Sequence, residues 1–198
     1  MTVRNDLASL SPIATGSFSF WVDLSMSNTV RLMHYDPRWR QEFEQTRSGI
    51  LHSCLGWVID VQHIGSTAIG GMVARPILDV VAAVRNDEDT EQAIGESADM
   101  IEGLNFRKDV TPMWAAETIV LNKPRNGDPT HRVFLTYLDS PFYQSSMVIR
   151  DALRSDRELS LRFEETKVAR WRRGEGEPTK YADDKSVFFA HLIEHYQE

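Results

Sequence analysis

Apolar residues recur along this chain with a period that changes from segment to segment, and each change marks an element. Trp39, Phe43, Ile50 and Leu51 fall near one face of a helix that starts after Asp36-Pro37, an N-cap acid followed by a proline at the first helical position. Gly56 suits its C-terminal stop. The run Trp57-Val58-Ile59-Asp60-Val61 predicts a strand over 57–62, and a turn follows over 64–71. Pro76 to Val84 is apolar except for Arg75 before it and Asp79 within it, and predicts a strand over 77–84. A polar helix runs from about Asp87 to Gly103. Strands are predicted around 105–110, 116–122 and 131–138, the last two separated by the turn cluster Lys123-Pro124-Arg125-Asn126-Gly127-Asp128-Pro129. The last third reads as helices over 141–154, 157–173 and 184–196, with Asp156 and Asp183 as caps. Leu159, Phe163 and Trp171 give the second of these an apolar side, and Gly174 to Pro178 breaks the helices.

Strands precede a helical tail, with helices interspersed. That order predicts an α/β or α+β domain with a mixed β-sheet flanked by helices and a helical C-terminal part. Residues 1–28 stand outside the pattern: they are rich in serine and small residues and carry the aromatic cluster Phe18, Phe20 and Trp21. They read as an extension to a single domain over 29–198.

Composition narrows the class. The chain has 198 residues, 41% of them hydrophobic and 26% charged, which is ordinary for a globular protein. A net charge of −7 argues against a broad nucleic-acid-binding surface and leaves room for a local basic pocket. The single cysteine, Cys54, excludes an internal disulfide and fits a reducing compartment; near the end of a predicted helix it reads as a small core residue. No stretch approaches the roughly 20 apolar residues of a membrane span. The expectation is a cytoplasmic protein with no membrane partner.

The candidate chemistry lies in His63-Ile64-Gly65-Ser66-Thr67 and in Asp79, with twelve residues between Ser66 and the acid. A carboxylate in an apolar strand loses hydration, so a polar partner or a metal ion is expected. Glycine lets backbone N–H groups approach an anion, and serine adds a hydroxyl. Three motifs of this kind fail. A P-loop needs Lys-Ser/Thr after its second glycine, and Gly70 is followed by Gly71-Met72. A dinucleotide fingerprint needs a second glycine at position 67, which is Thr67. A nucleophile elbow fails likewise. What survives is strand, Gly-Ser turn and a strand carrying an acid, the pattern of a nucleotidyltransferase fold; the alternative is a tight turn and a buried capping acid.

Two-metal transfer needs carboxylates converging on ions about 3.5–4 Å apart. Residues i and i+2 share a strand face, and the position two after Asp79 is Val81. A second acid must then come from a neighbouring strand, for which Glu117 is the best candidate. The run His191-Leu192-Ile193-Glu194-His195 matches H-x-x-E-H, but too little chain follows to supply a third zinc ligand. Ile149-Arg150-Asp151 lacks the other parts of a kinase catalytic loop.

Taken together, these residues resemble the GrpB family of nucleotidyltransferase-fold proteins from about Val30 to Ala190. Five ordered segments carry the resemblance: Tyr35-Asp36-Pro37-Arg38-Trp39, His63 to Ala68, Ala74 to Val80, Ile149 to Arg154, and Tyr181-Ala182-Asp183-Asp184-Lys185. Gly70 stands where the family usually has proline, Arg75 where it has lysine, and Phe134 where it has a histidine. The resemblance implies a mixed sheet with the Gly-Ser turn and Asp79 at one end, and Arg150, Tyr181 and Lys185 approaching that end from the helical tail.

Two functions are weighed. The first is a module that binds a nucleotide or a phosphorylated small molecule through Gly65, Ser66, Thr67, Arg75, His131, Arg150, Tyr181 and Lys185. The alternative is Mg²⁺-dependent nucleotidyl or phosphoryl transfer to a small molecule, with Asp79 and His63 as catalytic residues and Asp79 and Glu117 holding the metal. The first is preferred because position 81 is not an acid.

Overall fold

The computed structural model describes residues 30–112 and 115–174. The predicted last helix, its cap Asp183, the His191/His195 pair, Tyr181, Lys185 and the Phe18–Trp21 cluster lie outside the described residues. The described part contains helix α1 (Arg38–Ser53), strand β1 (Val58–Ile64), a single 3-10 turn (Ser66–Ala68) and strand β2 (Leu78–Val84). Helix α2 (Thr90–Glu102), strands β3 (Arg107–Asp109), β4 (Ile119–Lys123) and β5 (His131–Tyr137), and helices α3 (Pro141–Ser155) and α4 (Arg157–Arg173) follow.

The predicted caps Asp36 and Asp156 act at the starts of α1 and α4, and Ser140, which the sequence reading did not name, acts at the start of α3. The Asp36 carboxylate accepts the Arg38 N–H at 2.9 Å. Ser140 accepts the Tyr143 N–H at 3.1 Å, ahead of Pro141 at the first position of α3. Asp156 accepts the Leu159 N–H at 2.9 Å and opens α4.

The strands form one mixed sheet in the order β1-β2-β5-β4-β3. β2 and β5 are parallel at its centre, and the other pairs are antiparallel. Val80, Val81, Ala82, Ala83 and Val84 are each 0% exposed, so β2 is covered on both faces. Burying each of its valines contributes about 1.5–3 kcal/mol. One face carries Val80, Ala82, Val84, Val133 and Leu135 and packs in one cluster with Trp39, Phe43 and Ile50 of α1 and Ala98 and Ile101 of α2. The other carries Ile64, Val81, Val120 and Phe134 and is covered by Phe142, Tyr143 and Met147 of α3. A third cluster joins Leu153 of α3 and Phe163 of α4 to Ile69 and Met72 in the loop after the turn. The layers are therefore α1 and α2, sheet, then α3 with α4 at its end.

Among the boundaries that differ from those predicted, two bear on the site. β1 runs on to Ile64, because Ile64 pairs with Asp79 in the sheet. β4 begins at Ile119 and not at 116, because Ala115–Thr118 closes as a turn, with the Thr118 hydroxyl donating to Ala115 O at 2.8 Å.

Candidate functional site

Gly65 leaves β1 with φ +72 and ψ −173, a conformation open in practice only to glycine. Its reason lies across the strand pair. A β-carbon built on Gly65 would stand 2.8 Å from Asp79 Oδ2. The glycine thus lets the turn close over a carboxylate. The other oxygen, Asp79 Oδ1, is buried and makes no hydrogen bond among the described residues. Buried polar atoms are nearly always paired, so this oxygen is an exception among the described residues.

Ser66 follows at the start of the 3-10 turn, where leading N–H groups lack intrahelical acceptors. Its hydroxyl oxygen accepts from Lys167 Nζ at 3.1 Å, across 101 residues of chain. Lys167 is only 6% exposed, and its ammonium also stands 5.2 Å from the Phe163 ring. Arg154 of α3 donates from Nε to Ala68 O at 3.1 Å. The turn is therefore held from outside by two cations of the helical tail.

From within it is held by His63 and Thr67. The Thr67 hydroxyl donates to Ile77 O at 3.3 Å, so its oxygen accepts from His63 Nε2 at 2.9 Å. That assignment makes Nε2 the protonated nitrogen. The ring stacks on Phe43 of α1 with centroids 4.9 Å apart. Burial, reinforced by the charges of Arg154 and Arg150, lowers the His63 pKa to about 4 and keeps the imidazole neutral. His63 pairs with Val80, and Ile64 pairs with Asp79, so His63 and Asp79 belong to opposite faces of the sheet.

The same alternation separates His131 from Arg132. His131 pairs with Leu78, and its Nδ1 meets Thr130 Oγ1 at 2.8 Å. Burial and the charge of Lys123 lower its pKa. Arg132 pairs with Asp79 and belongs to the Asp79 face. Its Nε donates to Asn122 Oδ1 at 3.3 Å, and the Asn122 amide donates in turn to Asp109. A polar row thus crosses the sheet from β2 to β3 at the end that carries the turn.

Arg150 reaches this region from α3. Its Nη1 donates to Gln62 Oε1 at 2.8 Å, and its Nε pairs with Asp151 at 2.7 Å. Gln62 and Tyr143 both donate to Asp60, at 2.9 and 2.6 Å, which ties α3 to β1. Arg75 lies half-buried in the segment leading into β2, where Arg75 O accepts the Ile77 N–H at 2.7 Å.

Glu117 does not join the site. It is exposed in the turn before β4, and its carbonyl accepts from Thr136 at 3.2 Å, at the far end of β5. Arg132, beside Asp79, is four residues from Thr136, or about 13 Å along the strand. Val81, on the Asp79 face, packs with Ile64 and Phe134 beneath α3. No three His, Cys, Asp or Glu side chains converge among the described residues. Asp79 Oδ1 fits one bond to a hard cation that keeps waters and ligand phosphates as its other ligands. Among the described residues, a pair of cations lacks its second carboxylate here.

Sequence reasoning missed Lys167, Arg154, Arg132, Asn122 and Asp109. A signal existed for the first: Phe163, Lys167 and Trp171 recur every four residues, so Lys167 interrupts the apolar side of α4. Asn122 likewise interrupts an apolar strand.

The architecture defines an α/β protein with a mixed five-stranded sheet and a Gly-Ser turn closed over an acid. The GrpB protein family model matches residues 29–195, and the chain belongs to the GrpB family. The glutamate-rich protein GrpB of Alkalihalophilus pseudofirmus is 24% identical over 83% of this chain and 94% of its own length. A UPF0157 protein of Streptomyces coelicolor is 46% identical over 55 residues, which span 28% of this chain and 29% of that relative. Among solved structures, conserved protein GrpB from Enterococcus faecalis superposes with TM-score 0.68 at 20% identity, covering 85% of this chain and all of that one (100%). Terminal uridylyl transferase 4 from Trypanosoma brucei, solved with bound CTP, superposes with TM-score 0.45 at 12% identity, covering 81% of this chain and 50% of that one. No helix among the described residues is long and apolar enough to cross a membrane.

Proposed function

We propose that the Gly65–Ser66 turn binds the phosphate of a nucleotide or phosphorylated small molecule, with Asp79 behind it. The observation that carries this reading is the buried Asp79 Oδ1, without a hydrogen-bond partner among the described residues, next to a glycine whose backbone leaves room for nothing larger. Leaving such an oxygen unsatisfied costs about 1–3 kcal/mol or more for a charged group, which a bound ligand or its cation recovers. Ser66 and the turn's leading N–H groups supply donors, and Arg132 and Arg150 supply positive charge at the same end of the sheet. His63 acts as a positioning residue through Thr67. Arg75 precedes β2 and His131 opens β5, and Tyr181 and Lys185 enter the proposal through the family's late motif. A single Mg²⁺ on the ligand's phosphates would be held by Asp79 and would screen their charge.

Transfer chemistry through two metal ions is the weaker reading, because Val81 and Arg132 stand where further acids would be needed. A cytoplasmic setting accords with the lone buried thiol Cys54.

The test is a thermal-shift and calorimetric screen of ATP, GTP, CTP and phosphorylated metabolites, each with and without Mg²⁺. Stabilisation of the wild type that weakens in Ser66→Ala supports the reading. No binding at millimolar ligand, in any condition, overturns it.

A further inference from the structure

Arg132 of β5 lies between two cross-strand neighbours on one face of the sheet, Asp79 of β2 and Asn122 of β4. Neighbouring strands run about 4.8 Å apart, so a guanidinium can reach either. An ion pair with the carboxylate is the stronger bond open to it. Yet Arg132 Nε donates to Asn122 Oδ1 at 3.3 Å, and no ion pair joins Arg132 to Asp79 among the described residues. We propose that Asn122 is a positioning residue: it holds Arg132 off Asp79, so that the acid and the cation meet a ligand as two separate groups. This inference rests on the reading of the turn as a phosphate site.

The direction of the amide explains the choice. A carboxylate only accepts, so the Asn122 nitrogen must face Asp109, and its oxygen is left for Arg132. Asp109 is fixed in turn by the Val110 N–H, which donates to its Oδ1 at 2.7 Å. Asn122 is only 4% exposed. Turned over, its amide would set donor against donor at Arg132 and oxygen against oxygen at Asp109, with little water to relieve either. The charge of Asp109 also polarises the amide and strengthens its oxygen as an acceptor. Arg132 is thus compensated through Asn122 by the acid on β3, and not by the acid on β2.

Asp79 has no substitute for it. Its cross-strand neighbours are Arg132 and the apolar Ile64. Arg150 is engaged elsewhere, paired with Asp151 and bonded to Gln62. Gly65 closes over Asp79 Oδ2, and Oδ1 has no hydrogen-bond partner among the described residues. A direct pair between Arg132 and Asp79 would satisfy both groups, and a ligand would have to break it. Kept apart, the two define what fits: an anionic oxygen for Arg132 beside a donor or cation for Asp79. A phosphate that carries a chelated cation has this layout. A bare anion or a bare cation satisfies one half of it.

The test is a double-mutant cycle read by urea unfolding of the ligand-free protein. Asp79→Asn, Arg132→Met and the double variant are made in wild type, in Asn122→Leu and in Asn122→Asp. In wild type the two midpoint shifts should add. In Asn122→Leu the freed guanidinium should pair with Asp79, so that once either charge is removed, removing the other lowers the midpoint little further. Asn122→Asp keeps the acceptor for Arg132 and should restore additivity, although repulsion from Asp109 lowers its own midpoint. A merely structural Asn122 would shift every midpoint alike. Should Asn122→Leu fail to fold, Asp109→Ala, which frees the amide from the edge of the sheet, takes its place with the same outcomes. Additive shifts in every background, or non-additive shifts already in wild type, overturn the proposal. A second arm titrates inorganic tripolyphosphate with Mg²⁺ by calorimetry. Asn122→Leu should bind about tenfold more weakly than wild type, the loss of one charge-assisted contact; equal affinity overturns the proposal. If the probe binds neither protein, the phosphate reading fails and the proposed ligand with it, while the ligand-free cycle still decides whether Asn122 separates the two charges.

Discussion

Asp79 Oδ2 lies 2.8 Å from the point where a β-carbon on Gly65 would stand, so this turn and this acid can coexist only with glycine at position 65. Gly65→Ala meets two penalties. Alanine disfavours φ +72 with ψ −173, and its methyl group collides with a carboxylate held by the β1–β2 pairing. A loss of about 1–3 kcal/mol in unfolding free energy is expected, with ligand binding abolished. Urea unfolding and a nucleotide titration of the variant check both parts. Unchanged stability would mean that Asp79 moves freely and that the closure is not a constraint.

Ser66→Ala separates binding from folding. The serine is half-buried on a surface turn, and its hydroxyl oxygen accepts from the Lys167 ammonium. Removing the hydroxyl should cost about 1 kcal/mol of stability and weaken ligand affinity about five- to tenfold. Calorimetry beside a thermal melt reads the two effects. A variant that binds as tightly as wild type contradicts a donor role for Ser66.

Asp79→Asn addresses the cation. The amide keeps the shape of the side chain and removes its charge. Any increment in ligand affinity or melting temperature that Mg²⁺ adds to wild type should vanish in this variant. A persisting Mg²⁺ increment would place the ion on the ligand alone.

His63 predicts a pH dependence. Its folded pKa is lowered to about 4 from 6.5, chiefly by burial. Between these values the unfolded chain binds a proton that the folded one refuses, so stability is greatest above the unfolded pKa. It is lost as pH falls through this window, by an amount on the order of 3 kcal/mol. Denaturant unfolding of wild type and His63→Gln at about pH 4.5 and pH 7.5 measures this. The variant should lose part of the acid sensitivity; an identical slope would argue against a neutral buried imidazole.

Cys54 is fully buried, and desolvation raises its pKa to about 11. The thiol should resist aromatic disulfide reagents in the folded protein at neutral to mildly alkaline pH and react at once in denaturant. Rapid labelling of the native protein would show that the α1 end opens.

Much of the fold was legible because local rules and tertiary packing agree. Asp36-Pro37, Ser140-Pro141 and Asp156 cap helices in the folded chain as their residue types suggest. The apolar run from Leu78 to Val84 is β2, an inner strand covered on both faces. Gly65 and Asp79 do come together, since an antiparallel pair joined by a short connection brings residues a few positions apart into contact. The structure puts Glu117 at the other end of β5 from Asp79, because strand pairing sets which end of a sheet a residue occupies, and pairing is a non-local choice. His63 and Asp79 part company for a simpler reason. Running β1 on to Ile64 puts Ile64 opposite Asp79, so the histidine turns to the α1 side.

By itself the sequence determined the elements, the family pattern, and a Gly-Ser turn followed by one acid in an apolar strand. It determined these because capping, periodicity and glycine's backbone freedom act over a few residues. Only the tertiary structure decided which charges surround that turn. Lys167, Arg154 and Arg132 arrive from α4, α3 and β5, and their meeting depends on helix docking and strand order, which no local spacing encodes. Lys167 reaches Ser66 from 101 residues further along the chain.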